Sequence, residues 1–303
     1  RTLSAMPGAS PSPVEPSPVE PPADTAPGTA PELDAVVDAF LSEHGPGTVS
    51  VWCGDLAGRP TYRRDETARH YAASTMKLPL LVAAYRLHAR GRLDLDAEVP
   101  VHNRFASAAD GSPFSLDRAE DQDDDTWDRI GATAPLRLLA RHAVARSGNL
   151  ATNLLLEHVG AGEVAAVLAE AGCSPGTVLP RGIEDAAARQ AGLDNLVTAR
   201  DLASVMAGIA AGTFADPATC AAVEEVVAGQ EWRDKIPAGL PPATYVANKT
   251  GWVDGVAHDV ALVRPDGHDP YVLAVCTTVE VADETASALI AHISRLLWKA
   301  RTS

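Results

Sequence analysis

Lysine is scarce in this chain. Of its 25 basic residues only Lys77, Lys235, Lys249 and Lys299 are lysines, and all the others are arginine. A coding bias accounts for the arginine. Each lysine that remains then draws interest, because lysine can lose its proton inside a protein and arginine cannot. Positive charge is also short overall, with 40 acids and a net charge of −15. A surface for duplexes needs clustered Lys and Arg to displace counterions from phosphate, so no nucleic-acid partner is expected. Long apolar runs are missing too. Leu78–Ala84 is among the longest, against the roughly 20 residues that a membrane-spanning helix requires. Four cysteines (Cys53, Cys173, Cys220, Cys276) show no CxxC or Cys/His spacing, so no zinc site is indicated. They read as small buried hydrophobes, and sequence alone does not decide any pairing among them. What is present is ordinary globular composition, 46% hydrophobic and 21% charged over 303 residues, enough for one large domain or two modest lobes.

Residues 1–31 hold nine of the 23 prolines, and Ser-Pro-Val-Glu-Pro occurs twice, at Ser12–Pro16 and Ser17–Pro21. Such a stretch has little to bury and its prolines favour extended conformers, so a solvated linker is expected there. The chain begins with Arg and shows no apolar signal core. The expectation is that any targeting peptide was removed or never included, and that the linker tethers a secreted, extracytoplasmic protein. A catalytic domain is expected over 32–303.

Leu33, Val36, Val37, Phe40 and Leu41 recur at helical spacing. Strand-like runs follow at Thr48–Cys53 and Pro60–Arg64. Residues 75–90 and 135–172 read as helices, the second broken at Gly148 and Gly160, with two more at Thr198–Ala211 and Pro217–Ala228. Strands return at Thr244–Lys249, Ala257–Val263 and Tyr271–Val279, and an amphipathic helix closes the chain from Asp283 to Lys299. This order predicts an α+β fold, one sheet built from both ends of the chain with an all-helical lobe inserted between. The sheet lobe is expected over about 32–71 and 240–303, and the helical lobe over about 72–239. Seven acids in residues 117–128 invite a calcium reading. A calcium loop counted from Asp121 puts Thr126 where Gly is needed and Ala132 where Glu is needed, so a solvated acidic loop is expected instead.

Three short motifs carry chemistry. Ser74-Thr75-Met76-Lys77 starts a helix after the strand-like His70–Ala73. A serine and a lysine three residues on share one helix face, near N–H groups that favour developing negative charge. A desolvated lysine there can take the proton of the hydroxyl. Ser147-Gly148-Asn149 interrupts the helical middle, and Lys249-Thr250-Gly251 is expected to end a strand. Each motif has a plain reading (helix cap, interhelical turn, strand terminus), but the ordered set is far more specific than any member.

With these motifs the sequence resembles the penicillin-recognising serine hydrolases, and within them class A β-lactamases, over roughly residues 32–301. The resemblance implies an antiparallel five-stranded sheet with flanking helices packed on a helical lobe, the site lying between them. It implies Ser74 as acylated nucleophile, Lys77 as its base, and Ser147 as relay to the leaving nitrogen. Asn149 would hold the substrate amide, while Lys249, Thr250 and Gly251 would form the carboxylate-binding strand. The N–H groups of Ser74 and Trp252 would make the oxyanion hole. No metal or organic cofactor is implied. The expected partner is a small-molecule substrate, taken by a monomer with no membrane span.

The resemblance also calls for a loop glutamate that activates water. Glu184, 37 residues after Ser147, is the candidate, with Arg181 and Asp194 closing the loop neck as an ion pair. Two residues separate Arg181 from Glu184 where the family pattern has one, and Ala186–Ala188 occupy the stretch where an Asn is expected. Gly148 stands where the second motif usually has Asp. Glu184 therefore reads either as the water-activating base or as an exposed loop acid. His258 lies close to where an Arg often binds the substrate carboxylate, and reads either as that contact or as a locally packed strand histidine. β-Lactam amide hydrolysis is the leading expectation. A peptidase or esterase on a non-lactam substrate, and a penicillin-binding module that acylates without turnover, are the alternatives.

Overall fold

The computed structural model describes residues 29–302, so most of the proline-rich stretch lies outside the described residues. Five strands form one antiparallel sheet: β1 (Gly47–Gly54), β2 (Pro60–Arg64), β3 (Tyr245–Val253), β4 (Val256–Arg264) and β5 (Tyr271–Val279). Their order across the sheet is β2-β1-β5-β4-β3, so the two N-terminal strands join the three C-terminal ones through the β1–β5 pair, and β2 and β3 are the edges. The longer helices are α1 (Thr29–His44), α2 (Lys77–Ala89), α3 (Leu136–Arg141), α4 (Asn149–Val159), α5 (Ala161–Glu170), α6 (Ala199–Ala211), α7 (Pro217–Ala228) and α8 (Asp283–Thr302).

Strand side chains alternate between two cores. Val49, Val51, Ala261, Leu273 and Val275 face the first, where α1 supplies Leu33 and Val37 and α8 supplies Leu289, Ile290, Ile293 and Leu297. Trp52, Val260, Leu262, Val272 and Ala274 face the second, shared with α2, α4 and α6. Full burial of each valine, leucine or isoleucine among them stabilises by about 1.5–3 kcal/mol. Because the sheet is covered on both faces, most positions along its central strands are buried.

Helix α2 decides much of the site. Every residue from Lys77 to Leu87 is buried, as expected of a helix packed on all sides. Its first residue is therefore a lysine out of reach of bulk water. Pro79 sits in the first turn, where the amide it lacks has no intrahelical partner to lose. The helical middle also carries three short ladders: His70–Tyr71 with Leu196–Val197, Glu98–Pro100 with Thr133–Pro135, and Phe105–Ala106 with Pro113–Phe114.

Two sequence expectations need correcting. Lys249-Thr250-Gly251 does not end a strand, because β3 runs on to Val253 and reverses only at Gly255, whose φ is +70°. The left-handed conformation of that turn falls on Gly255, and Gly251 has a different reason to be glycine. The acidic stretch is also not uniformly solvated: Asp123 is buried and Asp121 is half-buried. The cysteines are free; Cys53, Cys220 and Cys276 are buried and Cys173 is partly so. Among the described residues no helix is long and apolar enough to cross a membrane.

Candidate active site

Ser74 lies in a 3-10 turn, Ala73–Met76, that feeds directly into α2. Strand β3 crosses beside this turn. A Cβ added to Gly251 would come within 2.8 Å of the Thr75 nitrogen and 2.9 Å of the Ser74 nitrogen. Only a glycine lets the strand backbone approach the turn so closely. Gly251→Ala should therefore force the strand and the turn apart, at a cost of about 1–3 kcal/mol. The expected result is a lower melting temperature together with slower acylation of Ser74, and an unaltered variant would refute the tight approach.

Lys77 and Lys249 are both fully buried and converge on Ser147 from two elements. Lys77 Nζ donates to the Ser147 carbonyl at 2.6 Å and to Asn149 Oδ1 at 2.9 Å, with Ser147 Oγ 3.4 Å away. Lys249 Nζ donates to Ser147 Oγ at 3.1 Å and to the Thr250 carbonyl at 2.7 Å. Burial pushes Lys77 down to about 7, against the pull of the Asp121 and Asp123 charges. Lys249 is pushed well below the usual lysine value, first by burial and then by the charges of Lys77 and Lys235, with Asp259 opposing. Two lysines that give up protons readily, joined through one hydroxyl, make a path along which a proton can move.

Strain is concentrated here. Four non-glycine residues among those described have positive φ, and three of them are Ala73 (+44°), Ser147 (+64°) and Glu184 (+59°). Such backbone typically costs about 1–3 kcal/mol per residue and persists where surrounding contacts over-determine it. At Ser147 those contacts come from the acidic stretch. Asp121 accepts the backbone N–H groups of Asn149 and Leu150, each at 2.8 Å, and so caps the start of α4. The carbonyl of Glu120 accepts from Asn149 Nδ2 at 2.9 Å.

Glu184 is held by pinning its neighbours. Asn153 grips Ile183 on both sides, accepting its N–H at 2.8 Å and donating to its carbonyl at 3.0 Å. Asp185 accepts from Ser107 Oγ and Ala108 N, each at 2.7 Å. Arg181 reaches Asp194 at 3.7 Å and donates to the Leu193 carbonyl at 2.8 Å, which closes the loop neck as expected. Glu184 itself accepts from the Asp117 N–H at 2.9 Å through Oε2, while Oε1 is buried without a partner among the described residues. Burial raises its pKa; the Asp117 N–H opposes this, and the charges of Asp117, Glu120 and Asp121 add to it.

Ser74, Asn149, Arg181, Glu184 and Trp252 line one cleft of about 1220 Å³. The buried pair Lys77 and Lys249 lies behind it, reached through Asn149 and Ser147. His258 is not part of this lining. Its Nε2 donates to the Tyr71 carbonyl at 2.8 Å and its Nδ1 accepts the Thr277 N–H at 3.1 Å. Burial pushes it down to about 4, so it is neutral, with both nitrogens engaged. The reading as a carboxylate contact is corrected to that of a packed strand histidine, standing edge-on to His70 at 5.4 Å.

Residues 31–300 match the family described as the beta-lactamase enzyme family. The chain belongs to that family. It is an enzyme of the serine β-lactamase-like hydrolase type. Among solved structures it is similar to an ancestral class A β-lactamase inferred for Gram-negative bacteria, at 23% identity and a TM-score of 0.73, covering 88% of this chain and 99% of that one. A β-lactamase from Sphaerobacter thermophilus is 24% identical with a TM-score of 0.70, covering 89% and 95%. The protein titled PBP-A is 23% identical with a TM-score of 0.73, again covering 89% and 95%. No curated protein matches the chain. These likenesses establish the fold, and the family's five-stranded antiparallel sheet is the one described above.

Several members of the site have no signature in the sequence. Asn153 and Asp185 anchor the Glu184 loop, yet nothing in their local sequence signals it. Lys235 stands out along the chain only as one of four lysines. It is buried against Asp234 (2.9 Å) and Asp283 (3.1 Å), with Nζ 5.3 Å from the Trp252 ring centroid. The Arg-for-Lys bias was the one available signal, since three of the four lysines, Lys77, Lys235 and Lys249, are buried at this site.

Proposed function

We propose that the protein hydrolyses a β-lactam amide through an acyl-enzyme on Ser74. The single observation that carries this reading is the convergence of two fully buried lysines, Lys77 and Lys249, on the Ser147 hydroxyl behind a cleft that Ser74 lines. Ser74 Oγ attacks the lactam carbonyl and its proton passes to neutral Lys77. The oxyanion forms beside the N–H groups of Ser74 and Trp252, and electrostatic stabilisation of that kind commonly lowers the barrier more than any other single effect in such chemistry. When the carbonyl–nitrogen bond breaks, the Ser147 hydroxyl delivers a proton to the nitrogen and is reprotonated from Lys77. Lys249 and Thr250 bind the substrate carboxylate, whose charge favours the protonated form of Lys249. Glu184 then takes a proton from water as it attacks the ester, and returns it to Ser74 Oγ as the acyl–oxygen bond breaks, freeing Ser74.

Incubation with a chromogenic cephalosporin followed by intact mass measurement tests this. Rapid colour with no lasting adduct is the expected result. Glu184→Gln should still be acylated but should accumulate the acyl-enzyme, because glutamine keeps the size but cannot take the proton. Loss of a general base costs about 10²–10⁴ in rate, enough to make the adduct visible. Unchanged turnover in Glu184→Gln would remove Glu184 from the mechanism.

A second reading, a penicillin-binding protein or peptidase, draws on one specific observation. Glu184 Oε2 is occupied by the Asp117 N–H, and Ala186–Ala188 provide no side-chain amide to hold a water. A stable adduct on the unsubstituted protein would favour this reading.

A further inference from the structure

Gly148 has no backbone reason to be glycine. Its φ and ψ are −62° and 126°, a conformation open to any L residue. What excludes a side chain is Asp123: a Cβ built on Gly148 would lie 2.9 Å from the Asp123 Cβ and 3.0 Å from its Oδ2. The middle position of the Ser147-Gly148-Asn149 turn is thus filled by a carboxylate from another segment of the chain.

That carboxylate is elaborately held. Asp123 is buried and accepts from Thr126 Oγ1, and from Arg146 Nη1 at 3.0 Å, while His142 Nδ1 lies 3.0 Å from Oδ2. His142 and Arg146 bound the π-helical turn that delivers Ser147, and the His142 carbonyl accepts the Gly148 N–H at 3.1 Å. A guanidinium already bridges Asp123 and Asp125, so this acid–imidazole group is occupied by the protein's own cation.

We propose that Asp123 is a positioning residue of the acylation machinery, which braces the Ser147 turn from the space Gly148 leaves open and supplies, together with Asp121, the negative charge behind Lys77. The inference rests on the reading of Ser74 and Lys77 given above. The charges facing Lys77 are Asp121 and Asp123 on the acidic stretch and Lys249 on β3. Burial alone raises the pKa of Asp123, but hydrogen bonds from His142, Thr126 and Arg146 more than offset this and hold it down to about 2. Its charge is therefore present throughout the working range. It draws Lys77 upward against burial, so its removal lets Lys77 lose its proton at lower pH.

The test is the pH profile of Ser74 acylation by a fluorescent penicillin, measured as a second-order rate. In Asp123→Asn the rate should fall about tenfold at its plateau, because the turn loses part of its brace. Its acid limb should move down by about one pH unit, the shift expected from deleting a nearby opposite charge. A purely structural loss lowers the plateau without moving the limb. Relocating the carboxylate in Asp123→Ala/Gly148→Asp should return the limb to its original position. Gly148→Ala, which keeps Asp123 but presses a methyl group on it, should slow acylation with the limb unmoved. An unshifted limb in Asp123→Asn, or a folded paired variant that fails to restore it, overturns the proposal. So does a Gly148→Ala protein with the original rate, a result that does not depend on the other variants folding. If the unsubstituted protein is not labelled at all, it is the acylation reading that fails.

Discussion

Ser74→Ala should abolish covalent labelling by any β-lactam while leaving the melting temperature nearly unchanged. The hydroxyl is the only proposed acceptor of the acyl group, and removal of a serine nucleophile costs on the order of 10⁶ in rate in well-studied hydrolases. The fold has little stake in it. Ser74 is only half-buried, sits inside a 3-10 turn whose capping position is Ala72, and no side chain caps that turn. Even a serine that did act as a cap would contribute only about 1 kcal/mol. Intact mass after exposure to a cephalosporin gives the readout. An adduct that persists in this variant removes Ser74, and with it the mechanism.

Lys77→Arg should be nearly as damaging as Lys77→Ala, with acylation reduced about 10²–10⁴-fold in both. Arginine keeps the charge but does not lose its proton in proteins. The site also has no room for the exchange: the ammonium is fully buried, with the Ser147 carbonyl at 2.6 Å and Asn149 Oδ1 at 2.9 Å. A companion expectation concerns pH. Burial brings Lys77 down to about 7, and only its neutral form can accept the Ser74 proton. Acylation should therefore rise as pH increases through about 7 and fall on the acid side. Near-normal rates in Lys77→Arg would show that the lysine acts by charge alone.

The legible part of this protein was the part encoded in contiguous segments. Strand runs near both ends and helices between them fixed the α+β class. Ser74-x-x-Lys77 announced a helix start because the spacing of the two residues lies within a single turn. The same locality explains the errors. Glycine so often marks a turn that Lys249-Thr250-Gly251 reads as a strand terminus, but Gly251 is required by the approach of a distant 3-10 turn. The acids of 117–128 read as a solvated run because their partners, His142, Arg146 and the N-terminus of α4, lie about 20 or more residues further along the chain. His258 could be assigned to a strand, but whether it met a substrate or the Tyr71 carbonyl depended on which face the neighbouring ladder covered.

Composition and spacing by themselves carried the order of strands and helices and the three motifs that name the candidate nucleophile and lysines. These properties depend on residue type and short-range periodicity, which the linear chain carries in full. Tertiary structure alone decided how those motifs come together. It buried Lys77 at the head of a helix packed on all sides, brought Lys249 to the same hydroxyl from an edge strand, and seated Asp123 against Gly148. The physical reason is that a proton affinity is set by desolvation and nearby charge, and both arise from residues that the sequence holds far apart.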